Sequence, residues 1–302
     1  MDGITFVFAG DFLQTLPVIS KGTTADTIKA CLKYLRIWNS IEKLNLCMNM
    51  RAHLVGGDPP FLKQLLKIGD GTVDNENDYI TVSQNIGKIV STVNDLISEI
   101  YPDISDLLNK PYLWLCERAI ISPRNIMAEE INNIILEKVN GNNRDYLLID
   151  TVLSTDDAVH YPQEFLNVLS PSGFSPHKLK LKIGSPIMLL CNVHFPNPCN
   201  GIKLQITVMC DNIIEAIIFT GPATGEIGAF ISRIPMVPTD LPFKFKCLQF
   251  PIKVSFAITI NKLQGQTFQC VGVDLCMESF SHGQLYVELS RTGNHNNQII
   301  LI

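Results

Sequence analysis

Charged side chains are scarce in this sequence. Only 18% of its 302 residues are Asp, Glu, Lys or Arg, and 24 basic against 29 acidic residues give a formal charge of −5. A broad basic surface is excluded, so any contact with a polyanion must come from a local groove. Long apolar runs are also lacking. Stretches such as 186–191 and 216–219 fall far short of the roughly 20 residues that span a bilayer, and no membrane partner is expected. The start, MDGITFVF, has neither the basic residues nor the small-residue cleavage site of a secretory signal. Nine cysteines are scattered from Cys31 to Cys276 without a C-x-x-C pair or Cys/His zinc spacing. They read as reduced, mostly buried thiols, and no metal site is expected from them. Repeats and low-complexity tracts are absent. The composition thus points to a soluble, intracellular protein.

What is present is enough apolar residue, 46%, to bury a core of about two domains. Residues 4–9 alternate β-branched and aromatic side chains up to Gly10-Asp11. They read as a buried strand whose loop opens at its carboxyl end, where open α/β sheets bind ligands. Ile28, Leu32, Leu35 and Trp38 predict a helix over 26–38. A short strand over 43–46, a helical region over 84–109, a strand over 114–121 and a helix over 127–139 follow, in α/β order. Between about 179 and 251 the texture changes to short β-rich pieces, 204–208, 215–219 and 228–232, punctuated by Gly and Pro. This predicts a small all-β insertion, a barrel. Ile258, Ile260 and Leu263 then read as helical, 271–275 as a strand, and a helix-strand pair closes the chain.

Four segments carry the polar groups: GDFLQTLPV (10–18), NMRA (49–52), FAITINKLQGQT (256–267) and HGQLYVELSR (282–291). Asp11 and Gln14 suit a phosphate, its magnesium ion or an attacking water, or else Asp11 simply caps a turn. Arg51 and Arg291 are, each alone, ordinary surface charges. Gly265 permits a tight turn. Thr259, Asn261, Lys262 and Gln264 offer donors beside it, with Lys262 equally readable as a plain surface lysine. In this order, with a β-rich insertion before the third, the segments resemble the PIF-type 5′-to-3′ DNA helicases of superfamily one, especially the helicase region of Helitron transposons. The resemblance extends to Ile121-Ser122-Pro123-Arg124-Asn125 with Glu130-Ile131-Asn132, and to Pro171-Ser172-Gly173 with Pro176-His177-Lys178-Leu179. It also takes in Cys199-Asn200-Gly201 and Gln249-Phe250-Pro251-Ile252, so it covers nearly the whole chain.

The resemblance implies an α/β, RecA-like P-loop helicase fold. Residues 1–40 would be the C-terminal remnant of a first lobe, 41–179 and 256–302 the two parts of a second lobe, and 180–255 a β-barrel insertion. It implies ATP with Mg2+ between the lobes and single-stranded DNA across both. Gln14 would sense the γ-phosphate or place the water, since an amide can donate and accept at once. Arg51 and Arg291 would reach the same phosphate, as always-charged forks able to bond two oxygens. Gly10, Asp11, Gly265 and Gln266 would lie beside the nucleotide, with Asp11 shaping the loop, and Thr259, Asn261, Lys262 and Gln264 on the DNA backbone. His282 and Tyr286 would pack or stack. A nuclear monomer acting in DNA repair, recombination, telomere maintenance or transposition is the family expectation.

The sequence departs from that pattern in several places. Leu13, Cys191 and Lys203 stand where related sequences tend to carry Arg, and Glu288 where a small residue is common. At i, i+3 from Arg291, Glu288 either holds the guanidinium or weakens its reach. No G-x-x-x-x-G-K-[ST] occurs: the one Gly-Lys pair, Gly87-Lys88, is followed by Ile89 and has Val82 at the first glycine's place. The acidic pair expected to hold magnesium is missing too. The chain is therefore expected to be the C-terminal part of a helicase, inactive by itself, using ATP and Mg2+ only when an N-terminal lobe is supplied. Two other classes stay open: a nucleotide-independent single-strand-binding module, and a non-functional remnant that aggregates through an unpaired strand over 4–9.

Overall fold

The computed structural model describes residues 5–17, 19, 22–46, 48–50, 58–73, 80, 85–152, 161–169, 171, 173–192, 200–219, 224–225, 227–238, 241, 243, 245–277, 281 and 283–302. The chain divides into two compact units. One comprises Met1–Leu96, Ile121–Pro123 and Thr259–Ile302, the other Ile97–Ile120 and Arg124–Ile258.

The first unit starts with an extended segment and a short helix α1 (Thr24–Lys29), capped by Thr23 and Asp26 in a reciprocal box. Helix α2 (Pro59–Gly69) follows. Asp58 accepts from the Phe61 amide at 3.3 Å, and two prolines occupy the first turn, where no amide donor is needed. Phe61, Leu65 and Ile68 recur on one face of α2 and are buried. Strand β1 (Lys88–Val90) leads into α3 (Val93–Ile100), which opens with a Thr92/Asp95 cap. Later come β14 (Cys270–Asp274), α7 (Gln284–Leu289) and β15 (Gln298–Leu301). Together with β2 (Arg118–Ser122) and β13 (Ala257–Thr259), these strands make a five-stranded sheet of order β1-β15-β14-β2-β13. Register pairs Ile89 with Ile300 and Val273 with Ile300, all parallel. The runs VGV and QIIL are buried throughout, as parallel strands covered on both faces must be.

The second unit is mainly antiparallel β. Helix α4 (Tyr112–Cys116) and helix α5 (Asn125–Lys138) precede strands β3 (Arg144–Leu147) and β4 (Ile149–Val152), the short helix α6 (Gln163–Val168), and β5 (Lys178–Leu181). Then come β6 (Pro186–Leu189), β7 (Lys203–Met209), β8 (Ile213–Ile218), β9 (Ile227–Ser232), β10 (Ile234–Met236), β11 (Phe245–Gln249) and β12 (Ile252–Val254). They form sheets of order β12-β6-β7-β8-β9, β10-β11-β4 and β3-β5. Inward positions of the first and last, such as Ile187, Leu204, Ile214 and Leu179, share one apolar core with Phe250. Asn132 on α5 ties down the way out of the unit. Its Oδ1 accepts from the Ala257 amide at 2.8 Å, and its Nδ2 donates to the Ala257 carbonyl at 2.8 Å and the Val254 carbonyl at 3.2 Å.

Asp150 on β4 points into this unit. Its carboxylate is fully buried, with His177 Nδ1 at 3.9 Å. Burial pushes it above the usual carboxylate range, against the opposing pull of the Cys247 thiol and His177. Burial foremost, with Asp150 beside it, pushes the Cys247 thiol up to about 12. Because folding raises Asp150, the stability present below its unfolded value is lost as pH rises through the folded value. Asp150→Asn is therefore expected to raise the melting temperature near pH 7 and to change it little near pH 4. A lower melting temperature near pH 7 would mean that the ionised carboxylate supports the fold.

Several sequence expectations change. Residues 5–9 form no strand, and Phe6, Val7 and Phe8 are exposed, Val7 at 87%. A strand exists only as a member of a ladder, and none of the described residues pairs with this run. Residues 43–46 are irregular for the same reason, with Leu44 and Leu46 exposed. The helix expected over 26–38 is α1 followed by 3-10 turns at Leu32–Tyr34 and Arg36–Ser40, since no apolar face is buried to sustain a longer one. The strand expected over 114–121 is split into α4 and β2, and the helix expected around Ile258–Leu263 is β13 plus a 3-10 turn (Ile260–Leu263).

Candidate functional site

The GDFLQT loop is shaped by Asp11. Its Oδ1 accepts from the Leu13 amide at 3.0 Å and its Oδ2 from Gln14 Nε2 at 3.2 Å, while its carbonyl accepts from the Gln14 amide at 3.4 Å. An acid two and three residues before its donors is a side-chain turn, and here it also fixes the Gln14 amide group. Gly10 is exposed, with open space where a Cβ would sit.

The LQGQ turn is built from below. Ile260 and Leu263 of the 3-10 turn point into the core, which leaves Asn261, Lys262 and Gln264 exposed and Thr259 half-buried. Gly265 makes the bend with φ +79°. Gln266 closes it, its amide donating to the Leu263 carbonyl at 3.0 Å and its Nε2 to the Lys262 carbonyl at 3.3 Å.

Arg291 lies beneath that turn, 2% exposed. Nε donates to the Val287 carbonyl at 2.7 Å, Nη2 to Ser290 Oγ at 2.7 Å, and Nη1 to the Leu263 and Gln266 carbonyls at 3.3 and 3.4 Å. A buried guanidinium is tolerated when its donors are met in this way. The Glu288 side chain, one turn back on α7, is buried as well.

Two contacts bring the loop, the turn and α7 together within this unit. Gln264 Nε2 donates to Thr15 Oγ1. At the N-terminus of α7, Gly283 (φ +75°) presses on the loop backbone: a Cβ there would lie 2.5 Å from the Gln14 carbonyl carbon and oxygen and 2.6 Å from the Leu13 oxygen. The end of α2 joins them, since a Cβ on Gly69 would meet Tyr286 at 3.0 Å and Leu13 at 3.1 Å. Leu13 and Tyr286 are thus packing residues here, whereas Arg51 and His282 lie outside the described residues. Thr15, Gly69 and Gly283 were not singled out from the sequence. Only Gly283, directly before a helix within HGQLYVELSR, carried a signal that could have found it.

The remaining departures lie in the second unit. Lys203 is 3% exposed on β7, and burial lowers it to about 8, against the pull of Cys116. Cys191 is half-buried, and burial raises its thiol. Among the described residues there is no group of three or more His, Cys, Asp or Glu side chains able to hold a metal ion.

Residues 1–79 match the family described as PIF1-like helicase, and residues 164–209 the 2B domain of the DNA helicase Pif1. Over these residues the chain is similar to the PIF1-like helicases. Curated PIF1 relatives include the ATP-dependent DNA helicase Pif1 of Campylobacter jejuni, 27% identical over 188 residues, which are 56% of this chain and 39% of that protein. The human ATP-dependent DNA helicase PIF1 is 30% identical over 129 residues, 37% of this chain and 18% of the human protein. The chain thus spans well under half the length of these PIF1 relatives. Among solved structures, the Pif1 helicase of Candida albicans superposes with a TM-score of 0.60 at 19% identity, covering 97% of this chain and 63% of that one. Bacteroides Pif1 helicase in complex with ADP-AlF3 and single-stranded DNA gives 0.53 at 22% identity, covering 80% of this chain and 49% of that one. The parallel central sheet and mixed α/β content are those of the RecA-like helicase fold.

Proposed function

We propose that this chain is the C-terminal part of an ATP-dependent DNA helicase that moves 5′ to 3′, most like that of Helitron elements. The observation that carries the reading is the closure of the GDFLQT loop, the LQGQ turn and α7 upon one another, through Gln264–Thr15 and Gly283–Gln14. A loop near the N-terminus thus meets a turn and a helix near the C-terminus, and in this reading their junction links nucleotide to strand. In this reading residues 1–40 belong to a first lobe, 41–179 and 256–302 to a second, and 180–255 to an inserted barrel. Gln14, Arg51 and Arg291 serve ATP, with Gly10, Asp11, Gly265 and Gln266 beside it. Its phosphate loop and its Mg2+ ligands come from polypeptide beyond these residues. Thr259, Asn261, Lys262 and Gln264 meet single-stranded DNA, in a nuclear protein of DNA repair, recombination, telomere maintenance or transposition that works as a monomer.

A second reading is a single-strand-binding remnant without ATPase activity. The exposed Phe6, Val7 and Phe8 and the full engagement of Arg291 favour it. Both readings require the turn to bind a strand. The purified chain is therefore expected to bind oligothymidylate with an affinity that falls steeply with salt, and Lys262→Gln to reduce the log–log salt slope by about 0.7, the share of one phosphate contact. Fluorescence anisotropy across a salt series measures this, and binding indifferent to salt would remove both readings.

A further inference from the structure

We infer that Arg291 is a positioning residue for single-stranded nucleic acid, acting from beneath through the LQGQ turn. The inference rests on the reading that this turn meets the strand. One nitrogen, Nη1, donates to the Leu263 and Gln266 carbonyls at 3.3 and 3.4 Å. These carbonyls flank the Gln264-Gly265 bend, so a single planar group sets the bend's opening. The same guanidinium is anchored to α7 through the Val287 carbonyl at 2.7 Å and Ser290 Oγ at 2.7 Å. A backbone tie runs the other way, the Phe268 amide donating to the Arg291 carbonyl at 3.1 Å. The turn is thus braced on both sides of its glycine from one residue.

The geometry separates brace from contact. Arg291 is buried, whereas Asn261, Lys262 and Gln264 are exposed on the outer side of the same turn. Leu263 lies between them and is fully buried. Removing the guanidinium leaves two carbonyls beneath the bend without that donor, and Gly265 has no side chain to resist a change of backbone path. Lys262, one residue before the braced segment, then loses its fixed position. Gln264 is held independently through Thr15, which ties the turn to the loop bearing Gln14.

The test is a double-mutant cycle on the full chain, reading the affinity for fluorescein-labelled oligothymidylate at fixed salt. Arg291→Ala is expected to weaken binding about tenfold, Lys262→Gln somewhat less, and the double variant hardly more than Arg291→Ala. Such non-additivity marks an arginine that works through the lysine's position, which a general loss of packing would not produce. Additive losses, or an Arg291→Ala chain that binds as tightly as the parent, overturn the inference while leaving the parent's binding intact. A parent chain that binds no oligothymidylate overturns the single-strand reading and the inference with it. Should Arg291→Ala fail to melt cooperatively, Arg291→Lys replaces it in the cycle. It keeps a buried cation that cannot span the Val287 and Leu263 carbonyls together, so coupling with Lys262→Gln is still expected, and its absence counts against the inference.

Discussion

Joined to the N-terminal lobe of a related helicase, this chain is expected to hydrolyse ATP when single-stranded DNA is present, and Arg291→Ala in that fusion to lower the rate by about 10³-fold or more. The chain by itself is expected to show no turnover above background, since its sequence lacks the G-x-x-x-x-G-K-[ST] pattern. The magnitude is the usual one for an arginine that stabilises charge during phosphoryl transfer. The observed geometry adds a condition. Arg291 donates to Val287, Leu263, Gln266 and Ser290, so to meet a phosphate it must give up some of these bonds or direct a remaining donor outward. Part of any loss could then arise through the strand-binding turn. Rates at saturating oligonucleotide separate the two: a loss of about 10³ in kcat that persists there belongs to the nucleotide, whereas recovery to the parent rate would remove Arg291 from the catalytic set.

Gly283→Ala is expected to destabilise the chain by about 2–5 kcal/mol. The residue sits at φ +75°, a left-handed conformation that costs a side chain about 1–2 kcal/mol. Its Cβ would also arrive 2.5 Å from the Gln14 carbonyl. Backbone atoms cannot turn aside as a side-chain tip can, so the loop or α7 must shift, with an overpacking cost of about 1–3 kcal/mol. Gly265 supplies the comparison: its φ is +79° but the space where its Cβ would go is open, so Gly265→Ala should cost about 1–2 kcal/mol. Urea unfolding of the two variants gives the difference. Equal costs would show that the loop does not press on α7 in solution.

Regular, self-contained elements were legible in the sequence. Helix α5, strands β7, β8 and β9, strand β14 and the final α7/β15 pair fall where periodicity and turn residues place them. Elements that depend on partners were not. The run 5–9 alternates like a strand, but alternation gives only the faces, and a ladder also needs a neighbour. The stretch 84–109 reads as helical because apolar residues such as Ile86, Ile89, Val93, Leu96, Ile97 and Ile100 recur at three- and four-residue spacing. It divides because Gly87 lies against the Gln298 carbonyl, letting β1 run beside β15, and because Thr92 and Asp95 start a new helix. At the candidate site, the resemblance to PIF-type helicases pointed to the loop, the turn and the arginine. It could not show that Arg291 faces inward or that Thr15 and Gly283 hold the pieces together, because those facts are properties of packing.

Strand β15 lies between β1 and β14, yet it is made last. About 200 residues separate β1 from its hydrogen-bonding neighbour, and at ordinary elongation speeds of about 5–20 residues per second the ribosome needs roughly 10–40 s to supply it. Throughout that interval β1 lacks its hydrogen-bonding neighbour, and β14 joins the wait only for the last two dozen residues, while the mainly antiparallel unit, whose strands are all synthesised earlier, can already close. Nascent chains stalled just short of residue 298 should therefore hold a protease-resistant core drawn from residues 124–258, with β1 still open to cleavage and to chaperone capture.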